Sequence, residues 1–314
     1  MFLSVVKPNG TEPGLTLKSN QLREYLTRDS GCSFVGHSFS VLFSWKVIRF
    51  YLKKLVCRTN KMFSLKNYRG SCWVNACLQG LFRIPEVQQR FTEEKADPAN
   101  PLETSLQKIW NSKGTEGLKE FFDSVKNVSL PTGRGTADSH ELLIYILDKL
   151  PWLEDLCKFA VVDKISCTKC DYTSECKDTK IELSLFPDGI GKTVSECIAH
   201  EVQETLPEGS KCEKCGEPYR KQLLLGSFPK VLLLHVYTEA QKRTEYCSNL
   251  IVNGRKYILL SVLSYNGAHW WAYGRDGQGK SWWTLDDTRV TEHKPNEFPL
   301  SHTMRMLIYY QIHE

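Results

Sequence analysis

The sequence reads as an α+β protein, with its helices gathered in one stretch and its strands in the next. Three observations carry this reading. Apolar residues recur at helical spacing from Trp73 to about Leu150. From Phe159 onward, short β-type runs alternate with turn residues. Two Cys-x-x-Cys pairs, Cys167/Cys170 and Cys212/Cys215, stand 41 residues apart inside that β-rich part. A chain of 314 residues holds one large domain or two small ones, and either buries a sizeable core.

Charge divides the chain unevenly. Residues 1–61 carry ten Lys and Arg against three acidic residues, a net of +7, and the remainder carries 31 against 33, a net of −2. The basic character therefore belongs to the first 61 residues, and charge gives the main domain no support for nucleic-acid binding. Phe34 to Val56 is apolar and aromatic but is interrupted by Lys46, Arg49, Lys53 and Lys54, so no transmembrane segment is expected there. It reads as a poorly ordered basic extension, with an amphipathic helix touching a membrane surface as the alternative. The opening MFLSVVKPNG has no basic n-region and only a short apolar run, which is a poor secretory signal. With twelve cysteines and two Cys-x-x-Cys pairs, the pattern suits metal better than a disulfide framework and implies a reducing, intracellular compartment.

The first helix predicted is the one opening at Cys72, where Trp73, Val74, Cys77, Leu78 and Leu81 fall on the helical period. A cysteine in a helix's first turn meets free amides and the positive end of the helix dipole, both of which favour thiolate. Cys77 falls on the inward stripe as an inert core residue. Asn67, five residues before Cys72, is placed so that its amide can fold back and donate to an oxyanion. Thr92 to Pro101 reads as a loop, followed by short helical patterns around Leu106 to Trp110 and Leu118 to Val125. Asp138 with Glu141 makes a capping box for a helix striped by Leu143, Ile146, Leu147 and Leu150 and stopped by Pro151.

In the β-rich part, strands are expected at Lys180 to Leu185, Lys221 to Leu225 and Val231 to Tyr237. Each Cys-x-x-Cys is a knuckle presenting two thiolates to one ion, so Cys167, Cys170, Cys212 and Cys215 together make a Cys₄ site for a structural Zn2+. Two reduced, unligated pairs or a redox site are the alternatives. His235 lies in an apolar run and reads as a core histidine. Toward the C-terminus come a strand, a Gly turn, a strand opened by His269, a Gly-rich hairpin and a strand leading to Asp286 and Asp287. On antiparallel neighbours a carboxylate fixes the imidazole tautomer while the other ring nitrogen faces a cysteine sulfur.

The stretch NYRGSCWVNACLQGLF resembles the cysteine box of the ubiquitin-specific proteases, N-x-G-N-T-C-Y-x-N-x-x-L-Q, matched at Asn67, Cys72, Asn75, Leu78 and Gln79. Arg69 stands where that pattern has glycine, and Gly70 follows it. Asp138, His140, Glu141 and Leu142 match the family's Q-Q-D-A-H-E-F-L box, in which His140 is expected to pack and not to catalyse. Ala268-His269-Trp270, then Trp283, Leu285, Asp286, Asp287 and Val290, match the pattern G-H-Y … W-x-x-F-D-D/N-x-x-V, with Ala268 replacing glycine. Nothing in residues 1–61 matches. Met62 stands just before the box, so translation can begin there or the extension can be regulatory.

What the resemblance implies is a papain-like cysteine peptidase with a helical thumb, a β palm and zinc-bearing fingers. The catalytic domain would span 62–314, with a fingers insert at about 160–235. Cys72 would be the nucleophile, His269 the base, Asp286 its orienter, Asn67 an oxyanion donor and Asp287 an auxiliary holding a water or the oxyanion. The expected activity is thiol-dependent deubiquitination, by a hydrolase that acts as a monomer in the cytoplasm or nucleus, with ubiquitin and ubiquitinated proteins as partners. The alternatives are a catalytically silent ubiquitin-binding scaffold and a protease for a ubiquitin-like modifier.

Overall fold

A computed structural model describes residues 62–125, 138–187, 193–237, 244–277, 279–294 and 297–312, with the backbone of two short strands nearer the N-terminus. The chain divides into two units, Met1–Leu52 and Lys53–Glu314. In the first, β1 (Phe2–Ser4) pairs antiparallel with β2 (Thr16–Lys18). The remainder of the N-terminal extension, Phe34 to Val56 included, lies outside the described residues.

In the second unit six helices come first: α1 (Cys72–Leu81), α2 (Pro85–Glu93), α3 (Pro101–Asn111), α4 (Leu118–Val125), α5 (Ser139–Lys149) and α6 (Pro151–Cys157). All ten residues of α1 are buried. The stripe led by Trp73, Val74, Cys77, Leu78 and Leu81 explains one side of it. Gly80 explains another, because a Cβ there would lie 2.6 Å from Leu263 Cδ1 and 3.3 Å from Ile308 Cδ1, so both side chains would have to shift to admit it. Glycine lets α1 lie this close to the sheet without displacing those side chains. Helices α2, α3 and α6 each begin with proline, whose fixed φ and missing N–H suit a first helical position. Pro151 therefore ends α5 as expected and also opens α6, which the sequence reading had not foreseen. Phe63, Phe82, Phe91 and Trp110 join the helices in an aromatic cluster, with the Phe82 and Trp110 rings 5.3 Å apart.

Beyond the helices, β3 (Phe159–Cys167), β4 (Thr173–Lys180) and β6 (Tyr219–Leu225) form a three-stranded antiparallel sheet in the order β4-β3-β6. The run Lys180 to Leu185 is split between the end of β4 and a separate strand, β5 (Leu183–Leu185). An eight-residue helix, α7 (Val194–Glu201), follows it, opened by a complete capping box between Thr193 and Glu196. The larger sheet has eight strands. It adds β7 (Val231–Val236), β8 (Asn249–Val252), β9 (Arg255–Tyr265), β10 (Trp270–Arg275), β11 (Trp282–Asp286), β12 (Arg289–Glu292) and β13 (Met304–Ile312) to β5. The order is β12-β11-β10-β9-β13-β7-β5, with β8 also on β9; β5 and β7 are parallel and the other pairs antiparallel.

The central strands β7, β9 and β13 are buried on both faces, and the period of two assigns each face its residues. Val231, Leu233, Met306 and Ile308 pack with the helices. Leu232, Leu234, Leu307 and Tyr309 point the other way, into a second core with Phe159, Val161 and α7. Each such side chain contributes roughly 1.5–3 kcal/mol when fully buried. The sheet is thereby fixed as a rigid floor beneath the N-terminus of α1.

Candidate functional site

Cys72 is the first residue of α1 and is 9% exposed. The loop before it is closed by its own polar groups. Asn67 Oδ1 accepts from the amides of Gly70 (3.0 Å) and Ser71 (3.1 Å), and Ser71 Oγ accepts from the Tyr68 amide at 2.8 Å. Two successive residues, Arg69 (φ 49°) and Gly70 (φ 97°), have left-handed backbone there. The family pattern's glycine thus falls at a position that calls for one, and Arg69 adopts it at a cost of roughly 1–3 kcal/mol. Ala268, the other departure, does not have a left-handed φ, so glycine is not required at that point.

His269 immediately precedes β10. Antiparallel pairing sets Ala272 opposite Leu285, the residue before Asp286 at the end of β11, so the entry to β10 and the end of β11 lie at the same edge of the ladder. His269 Nε2 lies 2.6 Å from Asp286 Oδ1 and 4.0 Å from Asp287 Oδ2. The imidazole and the Asp286 carboxylate are each 36% exposed and Asp287 15%. The His–carboxylate pair expected from the sequence is formed, and one ring nitrogen is left for another partner.

Asp287 is the junction between this strand end and α1. It occupies the β11–β12 turn with a φ of 52°, a conformation aspartate tolerates better than most residues. Its Oδ2 accepts from Asn67 Nδ2 at 2.7 Å, its Oδ1 from Asn75 Nδ2 at 2.7 Å, and its backbone oxygen from the Leu65 amide at 2.9 Å. Asn75 stands one turn beyond Cys72 on the same helix. Asn75 matches the cysteine-box pattern, but the sequence reading gave it no role, because its partner is 212 residues away. Asn266 was missed in the same way: its Oδ1 accepts from the amides of Ala268 (3.0 Å) and His269 (2.9 Å). Its sequence signal is the Asn-Gly dipeptide, a turn former.

The four cysteines of the two knuckles converge at the tip of the three-stranded sheet. Cys167 Sγ is 3.5 Å from Cys215 Sγ, Cys170 Sγ is 3.7 Å from Cys212 Sγ, and all four sulfurs lie within 4.8 Å of one another. Four thiolates about 2.3 Å from a tetrahedral zinc would stand about 3.8 Å apart, so the donor set could hold that ion. The amides of Cys170 and Lys169 both point at Cys167 Sγ from 3.4 Å and pull its thiol down to about 6. Gly216, with a φ of 74°, completes the turn after Cys215.

A third cluster joins His140, Glu182 and His235. His140 Nε2 lies 2.7 Å from Glu182 Oε2, and the two imidazoles stack with centroids 3.6 Å apart and planes inclined by 30°. Rings stacked so nearly face to face aim their nitrogen lone pairs in parallel instead of at one point, which suits packing better than metal binding. Both histidines are buried, as their sequence context suggested. Burial also pushes the Cys77 thiol far up, with a smaller contribution from Asp138, so that sulfur is inert.

Among known families, the one described as ubiquitin carboxyl-terminal hydrolase matches residues 63–309. A mouse ubiquitin carboxyl-terminal hydrolase 17-like protein D is 24% identical over 278 residues, 72% of this chain and 51% of that protein. Ubiquitin carboxyl-terminal hydrolase 20 of Arabidopsis thaliana is 26% identical over 212 residues, covering 54% of this chain and 30% of its own length. The chain thus spans about half the length of the first relative and less than a third of the second. Among solved structures, the SAGA Ubp8/Sgf11/Sus1/Sgf73 DUB module bound to ubiquitin aldehyde matches with a TM-score of 0.68 at 16% identity, over 85% of this chain and 75% of that one. At that identity the likeness speaks for the mixed helix and sheet fold.

Proposed function

This chain belongs to the ubiquitin carboxyl-terminal hydrolase family, among the ubiquitin-specific proteases, and from there we propose that it is a cysteine-type deubiquitinase, cleaving the peptide or isopeptide bond after the C-terminal glycine of ubiquitin. The observation that carries the reading is the His269–Asp286 pair, 2.6 Å apart and tied through Asp287 to the helix that Cys72 opens.

With Nε2 engaged by Asp286, His269 has Nδ1 for the Cys72 proton. The thiolate attacks the carbonyl carbon of the terminal glycine, and the carbonyl electron pair moves onto oxygen. The Cys72 amide, in the helix turn whose N–H groups have no intrahelical acceptor, donates to that oxyanion. Asn67 is the second donor: one N–H of Nδ2 is committed to Asp287, and the other serves the oxyanion. Asp287 thus acts by fixing Asn67 and Asn75. Collapse expels the amine, which takes its proton from His269 and leaves a thioester. Water, deprotonated by His269, then breaks the thioester and returns Cys72.

Cys167, Cys170, Cys212 and Cys215 would hold a structural Zn2+, which supplies no step of the reaction and cross-links the tip of β3 to the loop before β6. Ubiquitin is the partner, its body on the β4-β3-β6 sheet and its tail between α1 and the palm. The main domain begins near Met62, and the ten described cysteines, all free, agree with a reducing intracellular compartment. No helix among the described residues is long and apolar enough to cross a membrane. The test is turnover of ubiquitin carrying a fluorogenic C-terminal amide. Saturable release by the wild type and none by Cys72→Ala is expected; binding without release would leave a scaffold, and release only from a ubiquitin-like modifier would reassign the substrate.

A further inference from the structure

We infer that Asn266 is a positioning residue for His269, fixing the backbone from which the imidazole reaches Asp286. The inference rests on the catalytic reading above, and on a turn whose polar groups close on one side chain.

The β9–β10 connection is short. Between Tyr265, the last residue of β9, and Trp270, the first of β10, lie only Asn266, Gly267, Ala268 and His269. Gly267 takes a φ of 97°, which reverses the chain. Asn266 Oδ1 then accepts from two consecutive amides, those of Ala268 at 3.0 Å and His269 at 2.9 Å, and the Asn266 amide donates to the His269 carbonyl at 3.3 Å. Both backbone polar groups of His269 are therefore held by one residue. Tyr265 braces the turn from outside, its hydroxyl donating to the Gly267 carbonyl at 2.6 Å while its ring stacks on Trp270 with centroids 4.7 Å apart.

This arrangement matters because His269 lies ahead of β10 and outside its ladder. A residue inside a strand has its φ and ψ fixed by pairing on both sides. His269 lacks that support, and its hydrogen bond to Asp286 constrains only the far end of the imidazole. Asn266 supplies the constraint at the near end. Asn266 itself is exposed. When its side chain is removed, water can satisfy the two amides, so the fold should hold while His269 samples a wider range of positions. Small misplacements of a reacting group are expensive in rate, on the order of a hundredfold per ångström.

The test compares Asn266→Ala, Asn266→Asp and Asn266→Gln in the full chain. Asp keeps an acceptor oxygen at the same reach, Ala removes it, and Gln displaces it by one methylene. On fluorogenic ubiquitin amide, Asn266→Ala and Asn266→Gln should lose kcat on the order of tenfold with KM within about twofold, and Asn266→Asp should stay within about threefold of wild type. Melting temperatures should be nearly unchanged throughout, which a purely structural role would not predict alongside a kcat loss. A second readout needs no ubiquitin: the pH dependence of Cys72 alkylation by iodoacetamide, located by peptide mass. In the wild type, alkylation should persist on the acid side through pairing with His269, and Asn266→Ala and Asn266→Gln should move that limb to higher pH. If the wild type shows neither turnover nor acid-side alkylation, the Cys72–His269 pairing falls and the inference falls with it. If the wild type shows both and Asn266→Ala matches it in kcat and in pH profile, the pairing stands and the inference alone is overturned.

Discussion

Two histidine–carboxylate pairs in this molecule have nearly the same length, His269–Asp286 at 2.6 Å and His140–Glu182 at 2.7 Å, yet their surroundings set them to different work. The first sits at the surface, each side chain 36% exposed, at the end of β11 and beside the helix that begins with Cys72. The second is more enclosed, the His140 side chain 9% exposed and stacked on His235 and the Glu182 side chain 19% exposed. His140 lies in the first turn of α5, next to Ser139, whose hydroxyl donates to the Trp73 carbonyl of α1 at 2.7 Å. The buried pair therefore fastens α5 to the residue just ahead of β5, whereas the exposed pair holds its imidazole through one nitrogen at a position open to solvent. Access and neighbours decide the role, since residue type and distance are shared.

The contrast can be broken by substitution. Cys72→Ala or His269→Ala should lower turnover by about three to four orders of magnitude or abolish it, with melting temperature and ubiquitin binding kept, as steady-state kinetics and calorimetry would show. Asp286→Ala should cost less than either, because that carboxylate orients the imidazole and does not take the proton. A loss of melting temperature in place of activity at His269 would erase the distinction between the two pairs.

Next in size is the metal. Purified protein should carry about one zinc per chain, and Cys215→Ser should lower that content and loosen the β4-β3-β6 sheet, since such sites contribute an apparent ~10–16 kcal/mol near neutral pH. Hydrogen exchange confined to residues 159–225 would register the loosening. A metal-free sheet with full protection would remove zinc from the account.

The buried pair should show the opposite profile to the exposed one. Glu182→Ala strands a buried imidazole nitrogen and should destabilise by about 1–3 kcal/mol while alkylation of Cys72 by iodoacetamide persists in the folded protein. Inactivation without a stability loss would mean that the second pair also takes part in chemistry.

The smallest effect is expected at the N-terminus. A chain beginning at Met62 should keep turnover within about twofold, whereas removal through Lys66 should not be tolerated. Leu65 is fully buried, the Phe63 carbonyl accepts from Gln79 Nε2 at 2.7 Å, and the Leu65 amide donates to Asp287. Comparing the two truncations places the functional boundary between those residues.

What could be read from the sequence followed the range of the interactions involved. The start of α1 was legible because a helical stripe is written in adjacent residues, and the knuckles because a Cys-x-x-Cys spacing is local. Helix α6 was missed for a local reason as well: Pro151 reads as the stop of α5, but it also fills the first position of a new helix, as Pro85 does for α2. The eight residues of α7 carry too short a stripe to stand out, and its Thr193/Glu196 capping box was the signal available. Asn75 and Asn266 were beyond reach for another reason. Asn75 depends on Asp287 across the whole domain, and Asn266 on two backbone amides that face it only once the turn has formed. Arg69 shows the converse, a departure from pattern whose left-handed φ explains why glycine is favoured there.

The most direct measurement is the intact mass of the protein after incubation with ubiquitin bearing a C-terminal electrophile, followed by peptide mapping. The account predicts a single covalent adduct on Cys72, absent in Cys72→Ala and strongly slowed in His269→Ala, with Cys77 unmodified. An adduct on another cysteine, or none from a folded wild type that binds ubiquitin, would contradict it.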